Sequence, residues 1–244
     1  MRWAYGITTV PERRHDLLPR TLSSLASAGF PSPRLFIDGE QSHDEAASYE
    51  REFKLPITYR TPRIRTHGNW VLSLYELYIR EPNAERYALF QDDLVACKNL
   101  RSYLEKSPYP ENGYCNLYTF PSNQSLAPAQ GGWFKGRLLD SGPEGWQTGR
   151  GAVALVFSRE AVLVLLSSQH IVDRPLDAFR GWRCIDGGVV TAMNKAGWSE
   201  YVHDPSLVQH IGMESSMGSR PHKLAESFRG EDFDAALLLP SSSL

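Results

Sequence analysis

Tyr87-Ala88-Leu89-Phe90 is an unbroken apolar run, and Gln91-Asp92-Asp93 follows it without a spacer. A short strand that is apolar at every position suits the centre of a parallel sheet, covered on both faces. The doubly acidic turn behind it then lies at the carboxyl edge, where open α/β sheets bind ligands. Adjacent carboxylates repel unless a cation or hydrogen-bond donors compensate them. A hard divalent ion with oxygen ligands, shared with a diphosphate, would do so. The plainer reading is an Asp-rich turn, or a cap for a helix beginning near Asn99.

Upstream, strand and helix signals alternate at short intervals, the pattern of an α/β sheet. Trp3 to Thr9 reads as a first strand stopped by Pro11. Leu18, Leu22 and Leu25 then mark a helix, with Pro19 in its first turn and Gly29 past its end. Arg34 to Asp38 and Ile57 to Arg60 read as further strands. Val71, Leu74, Leu77 and Tyr78 mark a helix after the tripeptide His67 to Asn69 and before Pro82. Downstream, Tyr114 to Phe120 reads as a fifth strand. Gly151 to Ser158 and Arg159 to Ser167 form a strand–helix pair, and a last helix runs from about Asp186 to Ala196. Between them, Pro121 to Trp146 is rich in Gly, Pro, Ser and Gln and too long for a routine connection, which suggests a functional loop.

The 244 residues can bury a sizeable core, and 41% hydrophobic with 22% charged residues is an ordinary globular balance. Lys plus Arg total 26 against 28 Asp plus Glu, a formal charge of -2, so no global basic field draws the chain to nucleic acid or membrane. The longest apolar stretch, Gly151 to Ser168, is cut by Arg159 and Glu160, so no membrane span is expected. Met1 to Tyr5 enters a strand pattern without a signal peptide's apolar run. Cys97, Cys115 and Cys184 are odd in number and far apart, which argues against a disulfide framework or a cysteine zinc site. A reduced, cytoplasmic setting is the expectation.

Three more stretches carry chemistry-bearing residues. Pro205 to Gly212 reads as an apolar strand ending at His210, an imidazole suited to a metal or a phosphate. Gly212 lets backbone approach an anion, and Ser215 and Ser216 offer hydroxyls. Asp186 opens the last helix, where a carboxylate is stabilised as the anion and suits a base, or is simply a cap. Thr8, Thr9, Val10, Pro11, Glu12 and Arg13 join strand to helix, a turn able to grip a nucleotide although it is neither a Walker loop nor G-x-G-x-x-G. His15, His43, His170, His203 and His222 read as satisfied surface histidines. Trp133 and Trp146 read as stacking faces for a sugar or base, or as plugs beneath the long loop.

In this order the motifs resemble a glycosyltransferase of the GT-A fold. The resemblance runs from ITTVPERR through RLFIDG, HGNW, the Asp pair and GAVALVFSREA to SLVQHIG. It implies a single Rossmann-like domain over 1–212, a central mostly parallel mixed sheet flanked by helices. Residues 1–95 would be the nucleotide-binding half and 96–212 the acceptor-binding half, with 213–244 a tail wrapping the surface or partly disordered. It implies Mn²⁺ or Mg²⁺ on Asp93 and His210, and a nucleotide sugar, a UDP-sugar, as donor. Thr8, Thr9, Val10, Pro11, Arg13, Asp38, Asn69, Asp92, Gly212 and Ser216 would bind the donor. Asp186 would be the catalytic base for an acceptor hydroxyl, favouring inversion. The usual Asp-x-Asp reads Gln91-Asp92-Asp93 here, an amide in the first acidic place.

The chemistry accounts for these residue types. The anomeric carbon gains oxocarbenium character as the diphosphate leaves with growing negative charge, which a cation neutralises. Arg13, Arg63 or Arg65 would add to that field, and the long loop would close over the donor to exclude water. The acceptor is a glycan, a small molecule or a modified base in DNA. The last reading leans on the cationic run Arg60, Arg63, Arg65 and His67 and on the tryptophans. A sugar nucleotidyltransferase would need a glycine-rich loop after the first strand, which is missing. A nucleotide-sugar-binding or interaction protein without turnover is the non-enzyme alternative that Gln91 keeps open.

Overall fold

Strand β1 (Trp3–Thr9) lies at the heart of an eight-stranded sheet, hydrogen-bonded in parallel to β2 (Arg34–Asp38) on one side and β4 (Arg86–Gln91) on the other. This is a computed structural model that describes residues 1–39, 42–136, 151–173, 185–212 and 224–240. Beyond β2 lies β3 (Ile57–Arg60), also parallel. Beyond β4 come β8 (Ala154–Ser158), β6 (Gly113–Asn116), β9 (Ser199–Asp204) and β7 (Gly132–Lys135). β8 runs antiparallel to β4 and β6, β6 and β9 are parallel, and β7 is antiparallel to β9. The mostly parallel mixed sheet flanked by helices expected from the sequence is the one found.

Handedness arranges the helices. The chain steps from β1 to β2 through α1 (Leu17–Ser27) and from β2 to β3 through α2 (His43–Phe53). It then returns across β1 through α3 (Arg65–Arg80) to reach β4. Right-handed crossovers in opposite directions put their helices on opposite faces. Accordingly Leu18, Leu25 and Tyr49 share one core with Ile7, Leu35 and Phe90, while Trp70, Leu74 and Leu77 share the other with Phe36, Tyr87 and Leu89. β4 thus sends alternate side chains to each core, which is why its apolar run has no polar partner in register. Gly6 permits this packing: a Cβ there would meet the Phe36 ring at 2.5 Å and Arg34 O at 2.8 Å.

The remaining helices are α4 (Leu100–Lys106), α5 (Pro121–Gln124), α6 (Arg159–Leu166), α7 (Gln169–Asp173) and α8 (Asp186–Lys195). Strands β5 (Leu94–Ala96) and β10 (Val208–His210) form a separate antiparallel pair. Among the described residues no helix is long and apolar enough to cross a membrane.

Several local expectations need correction. Pro121 to Trp146 is not one irregular loop, because α5 and β7 fall inside it and β7 closes the sheet on β9. The fifth strand stops at Asn116, where the Asn116 side chain accepts from the Tyr118 N–H and turns the chain. The strand expected from Gly151 begins at Ala154. Helix α3 starts at Arg65 and takes His67 to Asn69 into its first turns. His203 is not at the surface: it is 1% exposed. These corrections aside, residues 224–240 of the expected tail pack on the body, with Ala225 clamped by both amide atoms of Gln209 and Ala235 N donating to Lys98 O.

Candidate active site at the carboxyl edge

β1 and β4 end in step, Thr8 opposite Gln91. Thr9 and Asp92 therefore emerge together at the carboxyl edge, at the point where the strand order reverses. Thr9 Oγ1 donates to Asp92 Oδ2 at 2.6 Å, and Arg13 Nη1 donates to Asp92 Oδ1 at 2.7 Å. Both oxygens of Asp92 are thus engaged within the protein. Burial, then the neighbouring Asp93 charge, push the Asp92 carboxyl up to about 6 against the opposing pull of Arg13 and Thr9. Arg13 also donates to Asp93 Oδ2. Burial disfavours the guanidinium charge, but the two carboxylates outweigh it and raise its pKa.

Asp93 differs from its neighbour. It is 2% exposed, and its Oδ1 has no hydrogen-bond partner among the described residues. His210 Nε2 stands 3.3 Å from Asp93 Oδ2. The β5–β10 pairing makes this contact, since it sets His210 opposite Leu94, and Ile211 N donates to Asp93 O at 2.8 Å. A Cβ on Gly212 would stand 2.9 Å from Asp93 Oδ2 and 3.0 Å from His210 Cε1, so only glycine leaves the pair this close. The cradle fits a hard cation. No three His, Cys, Asp or Glu converge among the described residues, but Mg²⁺-type sites commonly take one or two protein ligands plus water and substrate phosphate.

The other nucleotide-side residues form an adjoining group. Asp38 ends β2, and its Oδ1 accepts from the Ile64 N–H at 2.8 Å. Burial raises its pKa, opposed by the N–H groups of Ile64 and Arg65 and by the Arg63 and Arg60 charges. Arg63 grips Glu12 with both carboxylate oxygens within 2.9 Å, tying this group to the turn that carries Arg13. Asn69 donates to Phe36 O and accepts from Arg60 Nε, so its amide serves the fold here. Thr8 Oγ1 donates to Phe90 O. Val10 precedes, and Pro11 opens, a short 3₁₀ turn, Pro11–Arg13. Asp186 is the first residue of α8. Ser215, Ser216, Trp146, Cys184 and His222 lie outside the described residues.

The cationic run is only partly open at the surface, where Arg65 is exposed. Arg60 pairs with Glu76, Arg63 with Glu12, and His67 is buried. Trp133 donates its indole N–H to Ser107 Oγ at 2.8 Å and meets the His203 ring edge-on, so it packs on the core.

Sequence reading missed Thr21 and Ser24 of α1. Thr21 Oγ1 holds Asp92 O at 2.8 Å and Leu94 O at 2.9 Å, and accepts from Leu94 N at 3.2 Å. Ser24 Oγ accepts from Ala96 N at 2.9 Å. These hydroxyls satisfy the edge of β5 that β10 does not cover. The available signal was their place on the same helical face as Leu18 and Leu25.

No protein-family model matches the chain, and no curated protein matches it in sequence. Similar backbones exist among solved structures. One is the mannosyltransferase PcManGT from Pyrobaculum calidifontis, in complex with GDP-Man and Mn²⁺, at 12% identity and a TM-score of 0.49 over 82% of this chain. This chain spans 54% of that protein's length. Another is a mannose-1-phosphate geranyltransferase from Thermus thermophilus, at 18% identity and a TM-score of 0.46, covering 83% of this chain and 74% of the other. Overlaps this loose leave the chemistry to the site's own residues.

Proposed function

We propose that the chain is a divalent-metal-dependent glycosyltransferase of GT-A type, moving a sugar from a nucleotide sugar to an acceptor hydroxyl. The observation that carries this is the meeting of Asp93 and His210. They arrive from segments far apart in sequence, touch at the edge where β4 ends, and Asp93 keeps a buried oxygen without a partner among the described residues. A Mn²⁺ or Mg²⁺ ion there would supply charge neutralisation for a departing diphosphate.

The chain's own residues divide the rest. Asp93 and His210 hold the ion, and Gly212 keeps room beside them. Thr8 to Arg13 and Asp38 border the nucleotide, taken as UDP on the motif resemblance, with Gly212 beside the ion. Asp92 orients Arg13 and Thr9 at the sugar side. Asp186, at the start of α8, takes the acceptor proton, in a single displacement with inversion.

The test is release of nucleoside diphosphate from a panel of nucleotide sugars, with Mn²⁺ and with chelator. Metal-dependent release that drops at least about a hundredfold in Asp93→Ala, with the fold intact by circular dichroism, is expected. Equal release by the variant, or release indifferent to chelator, ends the metal assignment. Nucleotide-sugar binding without any release would instead favour a binding protein, a reading helped by Arg13 already balancing the acidic pair.

A further inference from the structure

We infer that Arg13 is a built-in counter-cation that competes with the divalent ion for Asp93, so that ion binding is coupled to release of Arg13 from that carboxylate. The inference rests on the metal reading above and adds a role that the reading does not contain.

Two adjacent carboxylates, 4% and 2% exposed, make an unstable pair without compensating charge. Arg13 supplies it through a single nitrogen, Nη1, which contacts both Asp92 and Asp93. Its side chain is only 12% exposed, so solvent weakens the pairing little. On Asp93 the guanidinium takes Oδ2, the same oxygen that faces His210 Nε2. An ion shared by Asp93 and His210 therefore meets Arg13 at its own ligand, and two cations at one carboxylate oxygen repel.

Asp92 provides the other half of the device. Its Oδ1 holds Arg13 while Thr9 holds its Oδ2. The guanidinium can let go of Asp93 and keep Asp92, remaining beside the ion and offering its N–H groups to an incoming phosphate oxygen. The turn that carries it also pairs Glu12 with Arg63 at the surface. In this scheme Arg13 balances the acidic pair in the metal-free protein, and the ion alone binds weakly.

Calorimetric titration with Mn²⁺ alone, without nucleotide, tests this. Arg13→Gln is expected to bind Mn²⁺ about tenfold more tightly than the wild type, or to bind it where the wild type does not. Asp93→Ala, added to each background, is expected to abolish binding. If wild type and Arg13→Gln bind equally and both lose binding with Asp93→Ala, the metal reading stands and this inference is overturned. If neither binds Mn²⁺, both fall. Should Arg13→Gln fail to fold, the wild type itself decides through its arginine Nε–H signals. The Arg13 signal, identified by its loss in Arg13→Lys, is expected to move on Mg²⁺ titration, and a fixed signal overturns the inference.

Discussion

His203 and His210 lie on consecutive strands, β9 and β10, and are equally buried, at 1% and 3% exposure. Their surroundings separate them. His203 Nδ1 donates to Pro205 O at 2.8 Å, which leaves Nε2 to accept from Tyr103 O–H at 2.6 Å. Both nitrogens meet neutral groups, and the rings of Tyr103 and Trp133 close against it edge-on. His210 faces the carboxylate of Asp93, beside a cationic Arg13 and a glycine whose missing Cβ allows the close approach. Burial alone does not mark a functional histidine. The kind of group opposite the imidazole separates the two.

The sharpest way to break this comparison is to remove each imidazole. His210→Ala is expected to lower metal-dependent turnover per folded molecule about a hundredfold or more, beyond the stability lost by truncating a buried ring. A folded His210→Ala protein with wild-type turnover would falsify the distinction. His203→Leu is expected to lower stability alone. It takes the imidazole away from Pro205 O and from Tyr103 O–H, whose hydroxyl keeps Ser107 and Trp133 beside it, and costs about 2 kcal/mol of stability, with activity per folded molecule retained. Denaturant titration reads the first quantity and the initial rate the second.

Gly212→Ala sharpens the His210 side. A methyl group placed 2.9 Å from Asp93 Oδ2 must push the Asp93–His210 pair apart, and a roughly tenfold weaker Mn²⁺ affinity is expected in calorimetry. Unchanged affinity would show that the close approach of Gly212 is incidental.

The smallest effect is a pH dependence on the His203 side. Burial, opposed by the Pro205 carbonyl, lowers its pKa below the ordinary 6.5, so it is neutral when folded. The unfolded chain protonates near 6.5 and binds more protons below that pH. Stability from the neutral ring is therefore present above about 6.5 and is lost as pH falls. Melting temperatures from pH 7.5 to pH 5 should decline more steeply in the wild type than in His203→Leu. Parallel curves would mean that the ring protonates freely inside the fold.

The elements legible in the sequence were those with local signals. β1, β2 and β3 were read with their observed bounds, because Pro11, Gly39 and the surrounding patterns punctuate them. The position of Asp92 and Asp93 behind a doubly buried strand was legible for the same reason, and so was the strand ending at His210. β7 and β9 escaped because β7 lies in a Gly- and Pro-rich stretch and β9 carries Glu200, His203 and Asp204, so neither shows an apolar run.

Periodicity and punctuation are properties of neighbours along the chain, and they sufficed for the succession of strands in the first half, the buried character of β4 and the acidic turn at its end. Who stands opposite whom belongs to the folded chain. The pairing of Leu94–Ala96 with Val208–His210, the bridge from Arg13 to both aspartates, the grip of Thr21 on the acidic turn and the enclosure of His203 each join residues distant in sequence. Register and edge satisfaction set such contacts, and both depend on the packing of the whole sheet.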